Sequence, residues 1–265
     1  TKFAAWASDA TGIPDLTLDQ NSFRVSGSSL IVTPSGASAK YWDPVVVPLH
    51  PNASIRYRGV PREVEEWVQV PRNALNFYYF LQSHAAGMDN IFVGKPGAGK
   101  SEMTKAVQAL LNAPGTLKVE INEETREDHL AFQRDIANFR TRFAREQLPS
   151  AMNENGVGQI INLDESTQGR PMMLSLLNEV SERRQLPDPA SDSQVLRAAP
   201  GFGVIHSINP PGSASRVKSF PDDFIERHRV IWFDTLPPDQ AFGYLAEAST
   251  GTSFPDGETI QLNPK

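Results

Sequence analysis

The chain has 265 residues, 25 Lys and Arg against 31 Asp and Glu for a formal charge of −6, five histidines and no cysteine. That length holds one large core or one α/β domain with a small appendage, the missing thiols exclude disulfides and thiolate metal sites, and the acidic balance speaks against coating nucleic acid by bulk charge. No apolar run approaches the ~20 residues that cross a bilayer, and TKFAAWASDATG has neither the basic start nor the apolar stretch of a signal peptide, so a cytoplasmic protein with no membrane partner is expected.

Residues 1–60 read as a β-rich accessory segment. Pro, Ser and Gly punctuate short apolar runs at Phe23 to Val25, Leu30 to Val32 and Val45 to Val47, and Ser26 to Ser29 suggests a hairpin turn. Pro34, Pro44 and Pro48 confine such strands to edges. Glu63 to Val68 is expected to make a helical turn, and Asn73 to Ala86 a longer helix whose aromatic stripe belongs to the core, ended by Gly87.

Ile91 to Val93 then reads as a buried strand that enters GKPGAGKS, the pattern GxxxxGK[ST], and Glu102 to Asn112 follows with Met103, Ala106, Val107 and Leu110 at helical spacing. Strand, glycine loop and helix are what a triphosphate needs. Gly94, Gly97 and Gly99 let successive N–H groups face one concavity at a helix N-terminus, where phosphate oxygens are favoured. Pro96 stiffens the loop, and Ala98 and Glu102 complete the segment that wraps the phosphates. Lys100 supplies a point charge for the β- and γ-phosphates, and the Ser101 hydroxyl is placed for Mg²⁺. The expected ligands are therefore ATP and Mg²⁺.

Downstream, strand and helix alternate as a parallel α/β sheet requires. The strands are Leu117 to Ile121, Gln159 to Leu163, Gly203 to Ile208 and Val230 to Phe233. Helices are expected over Leu130 to Gln147, where Phe132, Ile136, Phe139 and Phe143 recur at spacings of four, three and four, and over Met172 to Glu182; Pro187 to Ser193 reads as a polar link. The Gln159 to Leu163 strand ends in Asp164 and Glu165, where an aspartate can hold Mg²⁺ and the next glutamate can polarise an attacking water. Both stand at the C-terminal edge of the strands, where open α/β sheets bind ligands. Asn162 within that strand needs a partner of its own. Asn209, at the tip of the next strand, can bond both the water and the γ-phosphate, while His206 reads as a core histidine.

GKPGAGKS, INLDE, LLNEVSERRQL, GFGVIHSINPPG and FPDDFIERHRVIWFD stand in the order and approximate spacing of MoxR-type AAA+ ATPases, and the chain resembles midasin and dynein-like modules more loosely. The resemblance covers roughly residues 71 to 245. It implies a P-loop NTPase three-layer sandwich with a five-stranded parallel sheet over residues 61–240, a helical lid, and a homo-oligomeric ring, typically a hexamer, with ATP bound between neighbours. By the same resemblance Lys100 and Ser101 are Walker A, Asp164 and Glu165 Walker B, Asn209 is sensor 1, and Arg227 is the arginine finger offered to the adjacent subunit.

Four departures stand against that pattern. The segment after Walker B is DESTQGR instead of DEINR, leaving Arg170 as a candidate substitute. Arg227-His228-Arg229 gives two finger candidates. Residues 241–265 supply only the start of a lid or a tail, so a truncated lid is expected. No long insert is expected in the helix after the second strand. The resulting expectation is an ATP hydrolase that remodels or assembles a protein partner. Slow turnover in a nucleotide-binding assembly component is the first alternative, and a nucleic-acid motor or packaging ATPase the second.

Overall fold

The computed structural model describes residues 16–137, 140–189, 195–210 and 220–233. Three short antiparallel strands come first: β1 (Phe23–Ser26), β2 (Ser29–Val32) and β3 (Val45–Pro48). Gly27 turns β1 into β2 with φ +57, a conformation glycine adopts without steric cost. Alternation buries Leu30 and Val32 of β2 and Val45 and Val47 of β3. These side chains join one continuous core with Phe77, Tyr78 and Phe80 of a later helix, so the expected aromatic stripe is packing. Three helices follow: α1 (Ile55–Arg58), α2 (Arg62–Val68) and α3 (Pro71–Ala85), the last stopped by Gly87 at φ +74.

The central sheet is built from β4 (Asp89–Gly94), β5 (Lys118–Glu120), β8 (Ile160–Asp164), β11 (Gly203–Ile208) and β12 (His228–Phe233). Its order is β12-β4-β11-β8-β5 and every neighbouring pair is parallel, the expected five-stranded α/β sheet. Strand period two sorts the residues onto two faces. Phe92, Ile160, Ile205 and Ile231 point into the core shared with α2, α3, the N-terminal strands and α4 (Lys100–Leu111). Ile91, Val93, Ile161, Leu163 and Val204 point into a second core, with Leu148 and Met152 of α6 (Gln147–Met152), Met173, Leu177 and Val180 of α7 (Pro171–Arg183) and Phe224 of α8 (Asp222–Glu226). The sheet is thus the middle of three layers.

Polar side chains fix the strands where backbone pairing does not. Asn112, just past α4, accepts from Ile160 N and donates to Ile160 O, each at 2.8 Å, taking the place of a neighbouring strand. Ser207 donates to Asn162 at 2.9 Å, the partner that amide requires. At the N-terminal ends of the strands the Asp89 carboxylate, fully buried, accepts from the Arg184 guanidinium and from Val204 N, both at 2.8 Å. One carboxylate therefore joins the start of β4, the end of α7 and β11.

The expected helix over Leu130 to Gln147 is not what forms. Between a single-turn α5 (Glu127–Leu130) and α6 lies an antiparallel ribbon, β6 (Phe132–Ala137) paired with β7 (Arg140–Arg145), with Ala137 opposite Arg140. Phe132 and Ile136 are four residues apart, a spacing that puts side chains on one face of a helix and equally on one face of a strand. Phe139 lies outside the described residues. The ribbon takes the place of the helix in which no long insert was expected, so the helix itself is what the structure corrects. The link read at Pro187 to Ser193 likewise begins in a paired segment, β9 (Gln185–Pro187) against β10 (Val195–Arg197). Arg145, at the open end of the first ribbon, and buried Asp188, just past the Pro187–Val195 pair of the second, form an ion pair at 2.6 Å. Residues 1–15 and the lid and tail read over residues 241–265 lie outside the described residues.

Candidate nucleotide site

β4 runs into the glycine loop because Gly94 permits it. A Cβ there would lie 2.7 Å from both Cβ and O of Phe233 on β12, so only glycine lets the loop leave the sheet at this point. Gly97 and Gly99 take φ +80 and +93, which L side chains rarely adopt. Their surroundings differ. Nothing stands within 4 Å of a Cβ built on Gly97, whereas one on Gly99 would meet Trp67 Cη2 at 2.7 Å. The indole of α2 thus supports the back of the loop while its front is open. Pro96 and Gly97 are exposed, Ala98 is half-buried, and α4 starts at Lys100 with the unpaired N–H groups of a helix N-terminus. Ser101 is exposed on that first turn. Glu102 turns its carboxylate to Lys105 at 2.7 Å, so its side chain is engaged along the helix surface.

Four elements converge at the mouth of this loop. The Lys100 ammonium donates to the carbonyls of Gly94 and Lys95 and, at 3.3 Å, to Asn209 Oδ1. The other end of that amide, Asn209 Nδ2, donates to Glu165 Oε1 at 2.6 Å. Asn209 therefore bridges a cation and a carboxylate, with its acceptor and donor ends matched to the two charges. Gln168 donates to the second oxygen of Glu165 at 3.3 Å. Glu165 itself sits at φ +55, held there by its N–H bonded to Ser207 O at 2.8 Å, which turns its side chain out of the strand line. Partial burial pushes the Lys100 pKa down, against the opposing pull of Glu165 and Asp164. Its charge is under-compensated where it stands, a situation that polyanion oxygens would relieve.

Asp164, at the tip of β8, carries a partner the sequence did not reveal: Lys118 Nζ lies 2.6 Å from Oδ2. Arg170, the candidate substitute after Walker B, donates instead to Glu123 O at 2.9 Å. His206 is a core residue as read. Its Nδ1 lies 3.2 Å from the Ser166 hydroxyl, its ring packs edge-on against Phe220, Phe224 and His228, and burial and then His228 hold its pKa well below the usual imidazole value.

Arg227 is not brought to this site. It follows α8 and precedes β12, whose His228 pairs with Asp89 at the start of β4 and whose Phe233 pairs with Gly94 at its end. Six residues, about 20 Å of strand, separate it from the level of the loop along the sheet. There it donates to Asn178 at 3.0 Å and to the backbone and carboxylate of Asp223 at 2.8 and 3.2 Å. Arg229, the second candidate, lies over the Tyr79 ring at 5.0 Å.

Against known families, residues 89–227 match the model of the AAA domain, dynein-related subfamily. The chain belongs to that family. Membership implies nucleotide binding by this AAA domain. Among curated proteins, the AAA domain is 32% identical over 131 residues to an uncharacterized protein of Staphylococcus haemolyticus, covering 44% of each chain. It is 25% identical over 128 residues to the uncharacterized protein YojN of Bacillus subtilis, covering 47% of this chain and 41% of that one. The chain thus spans less than half the length of these relatives. A solved structure from Cytophaga hutchinsonii, provisionally described as an ATPase, shares the fold with a TM-score of 0.52 at 14% identity, over 71% of this chain and 53% of that one. Among the described residues no helix is long and apolar enough to cross a membrane.

Proposed function

We propose that this AAA domain is the Mg²⁺-dependent ATP-hydrolysing module of a MoxR-type ring, typically of six subunits, and that hydrolysis drives remodelling or assembly of a protein partner. The observation that carries the reading is the Asn209 amide spanning from Lys100 to Glu165. It joins the phosphate-binding lysine to a carboxylate at the strand edge where an attacking water would be oriented.

In this reading the γ-phosphate takes over the Lys100 ammonium from the Gly94 and Lys95 carbonyls, and the loop amides receive the remaining phosphate oxygens. Glu165 accepts the proton of a water that Asn209 helps to orient. The Ser101 hydroxyl and the Asp164 carboxylate are hard oxygen donors that fit Mg²⁺, which when bound neutralises charge on the β- and γ-oxygens. Arg227, at the opposite end of β12 from its own loop, would serve a neighbour's nucleotide. Remodelling and the ring itself rest on the family resemblance.

The test is phosphate release by the wild type and by Lys100→Ala and Glu165→Gln. Lys100→Ala should bind ATP weakly and not turn over, and Glu165→Gln should bind ATP and retain it. Undiminished hydrolysis by Lys100→Ala would end the reading. One observation favours a second reading, a slow nucleotide-binding assembly component: both oxygens of Glu165 are already held, by Asn209 and Gln168. Tight ATP binding without measurable turnover in the wild type would select it.

A further inference from the structure

The cation that neutralises Asp164 is Lys118, 2.6 Å away, while Lys100 is occupied by carbonyl oxygens and Asn209. Register shows that this contact is made by reaching. Glu120 of β5 stands opposite Asp164, and Lys118 stands opposite Asn162, two residues back. The lysine must therefore extend about 6.5 Å along the strand to meet the carboxylate. Glu120, two residues further along β5 and so on the same face, places a second carboxylate at the same sheet edge. The pair is partly open to solvent, with the Lys118 side chain 44% and the Asp164 side chain 22% exposed, unlike the buried pair of Asp89 with Arg184.

We propose that Lys118 is a displaceable counter-ion for Asp164: its ammonium occupies the carboxylate that would hold Mg²⁺, and yields it only when the metal arrives with the triphosphate. The inference rests on the ATPase reading and adds a positioning residue to it. Mg²⁺ demands about six oxygen ligands in near-octahedral geometry and sheds water reluctantly. One carboxylate and one hydroxyl are a poor site for it, and poorer still while a lysine must be evicted. Phosphate oxygens supply the missing ligands, and a divalent charge then outcompetes a half-exposed monovalent one. Lys118 also screens Asp164 from the phosphates of metal-free ATP, which would otherwise meet an uncompensated negative charge. Its loss should act in opposite directions on the two nucleotide forms.

The experiment is titration of the whole chain with a fluorescent ATP analogue, once in excess Mg²⁺ and once in EDTA, for the wild type, Lys118→Met, Lys118→Arg and Asp164→Asn. The quantity read is the ratio of Kd in EDTA to Kd in Mg²⁺. Lys118→Met should raise that ratio about fivefold, the factor set by the upper end of a half-exposed ion pair. Lys118→Arg, which keeps a cation, should stay near the wild type. Adding Lys118→Met to Asp164→Asn should change nothing. A merely structural ion pair would shift the melting temperature and leave the ratio fixed, which refutes the proposal. A lowered ratio refutes it as well, because Lys118 would then support the metal-bound nucleotide instead of yielding to the metal. Absence of ATP binding by the wild type in both buffers would sink the ATPase reading itself. Binding with an unchanged ratio in Lys118→Met sinks only the role of Lys118.

Discussion

Two glycines of the phosphate loop differ in a way that a paired substitution can measure. Gly97→Ala places a methyl in open space and Gly99→Ala drives one into Trp67, 2.7 Å from Cη2, although both residues hold positive φ. The conformational cost is shared: an alanine forced to φ near +80 to +93 loses about 1–2 kcal/mol. Gly99→Ala adds a steric cost of overpacking, typically about 1–3 kcal/mol, because the obstacle is a rigid ring edge wedged between α2 and the loop. We expect Gly97→Ala to destabilise the nucleotide-free protein by ~1.5 kcal/mol and Gly99→Ala by ~3.5 kcal/mol. In a domain of this size that difference separates the melting temperatures by roughly 4–8 °C. Thermal melting without nucleotide is the assay, since it excludes any clash of the new methyl with phosphate. Trp67→Leu opens the space, so combining it with Gly99→Ala should cost less than the sum of the single changes by about 1–2 kcal/mol. Equal melting of Gly97→Ala and Gly99→Ala, or strict additivity with Trp67→Leu, would show that the indole does not support the loop.

Arg184→Ala leaves the buried Asp89 carboxylate with only the Val204 amide, so urea melts should show a loss of about 3 kcal/mol. Asp89→Asn on that background should recover a substantial part, and additive losses would refute the pairing. Burial first, with a smaller contribution from Arg184 and against the pull of Asp89, lowers His84 to about 4, below the ~6.5 of an unfolded histidine. The unfolded chain takes up the proton first, so stability is full above pH ~6.5 and falls as pH drops towards 4, by roughly 3 kcal/mol, with His206 acting in the same direction. The melting temperature should be lower at pH 5 than at pH 7.5, by less in His84→Phe, and a flat profile in the wild type contradicts this. If Arg227 serves a neighbour, mixing inactive Lys100→Ala with inactive Arg227→Ala should restore partial turnover, and Arg229→Ala run in parallel identifies the true finger. Full activity as a dilute monomer would exclude a shared site.

What could be read in advance was what a strand and its tip carry by themselves. The glycine loop announces itself through spacing, and Asp164, Glu165 and Asn209 through their positions after apolar strands, because a parallel sheet brings such tips to one edge. The bridge from Lys100 through Asn209 to Glu165 follows from that placement. Lys118 was invisible because its role depends on the register of β5 against β8, and one residue of slip would send it to the other face. Trp67 and Gly99 are 32 positions apart and meet only through the packing of α2 on α4. The ribbon of β6 and β7 was misread because its apolar spacing satisfies two periods.

The ion pair between Arg145 and Asp188 links the foot of the β6–β7 ribbon to the residue just past β9. Each ribbon lies directly upstream of a strand that ends in a site residue: β7 leads through α6 into β8 and Glu165, and β10 leads into β11 and Asn209. The segments that lead to the two ends of the Asn209–Glu165 hydrogen bond are therefore joined a second time, outside the sheet, through one buried carboxylate.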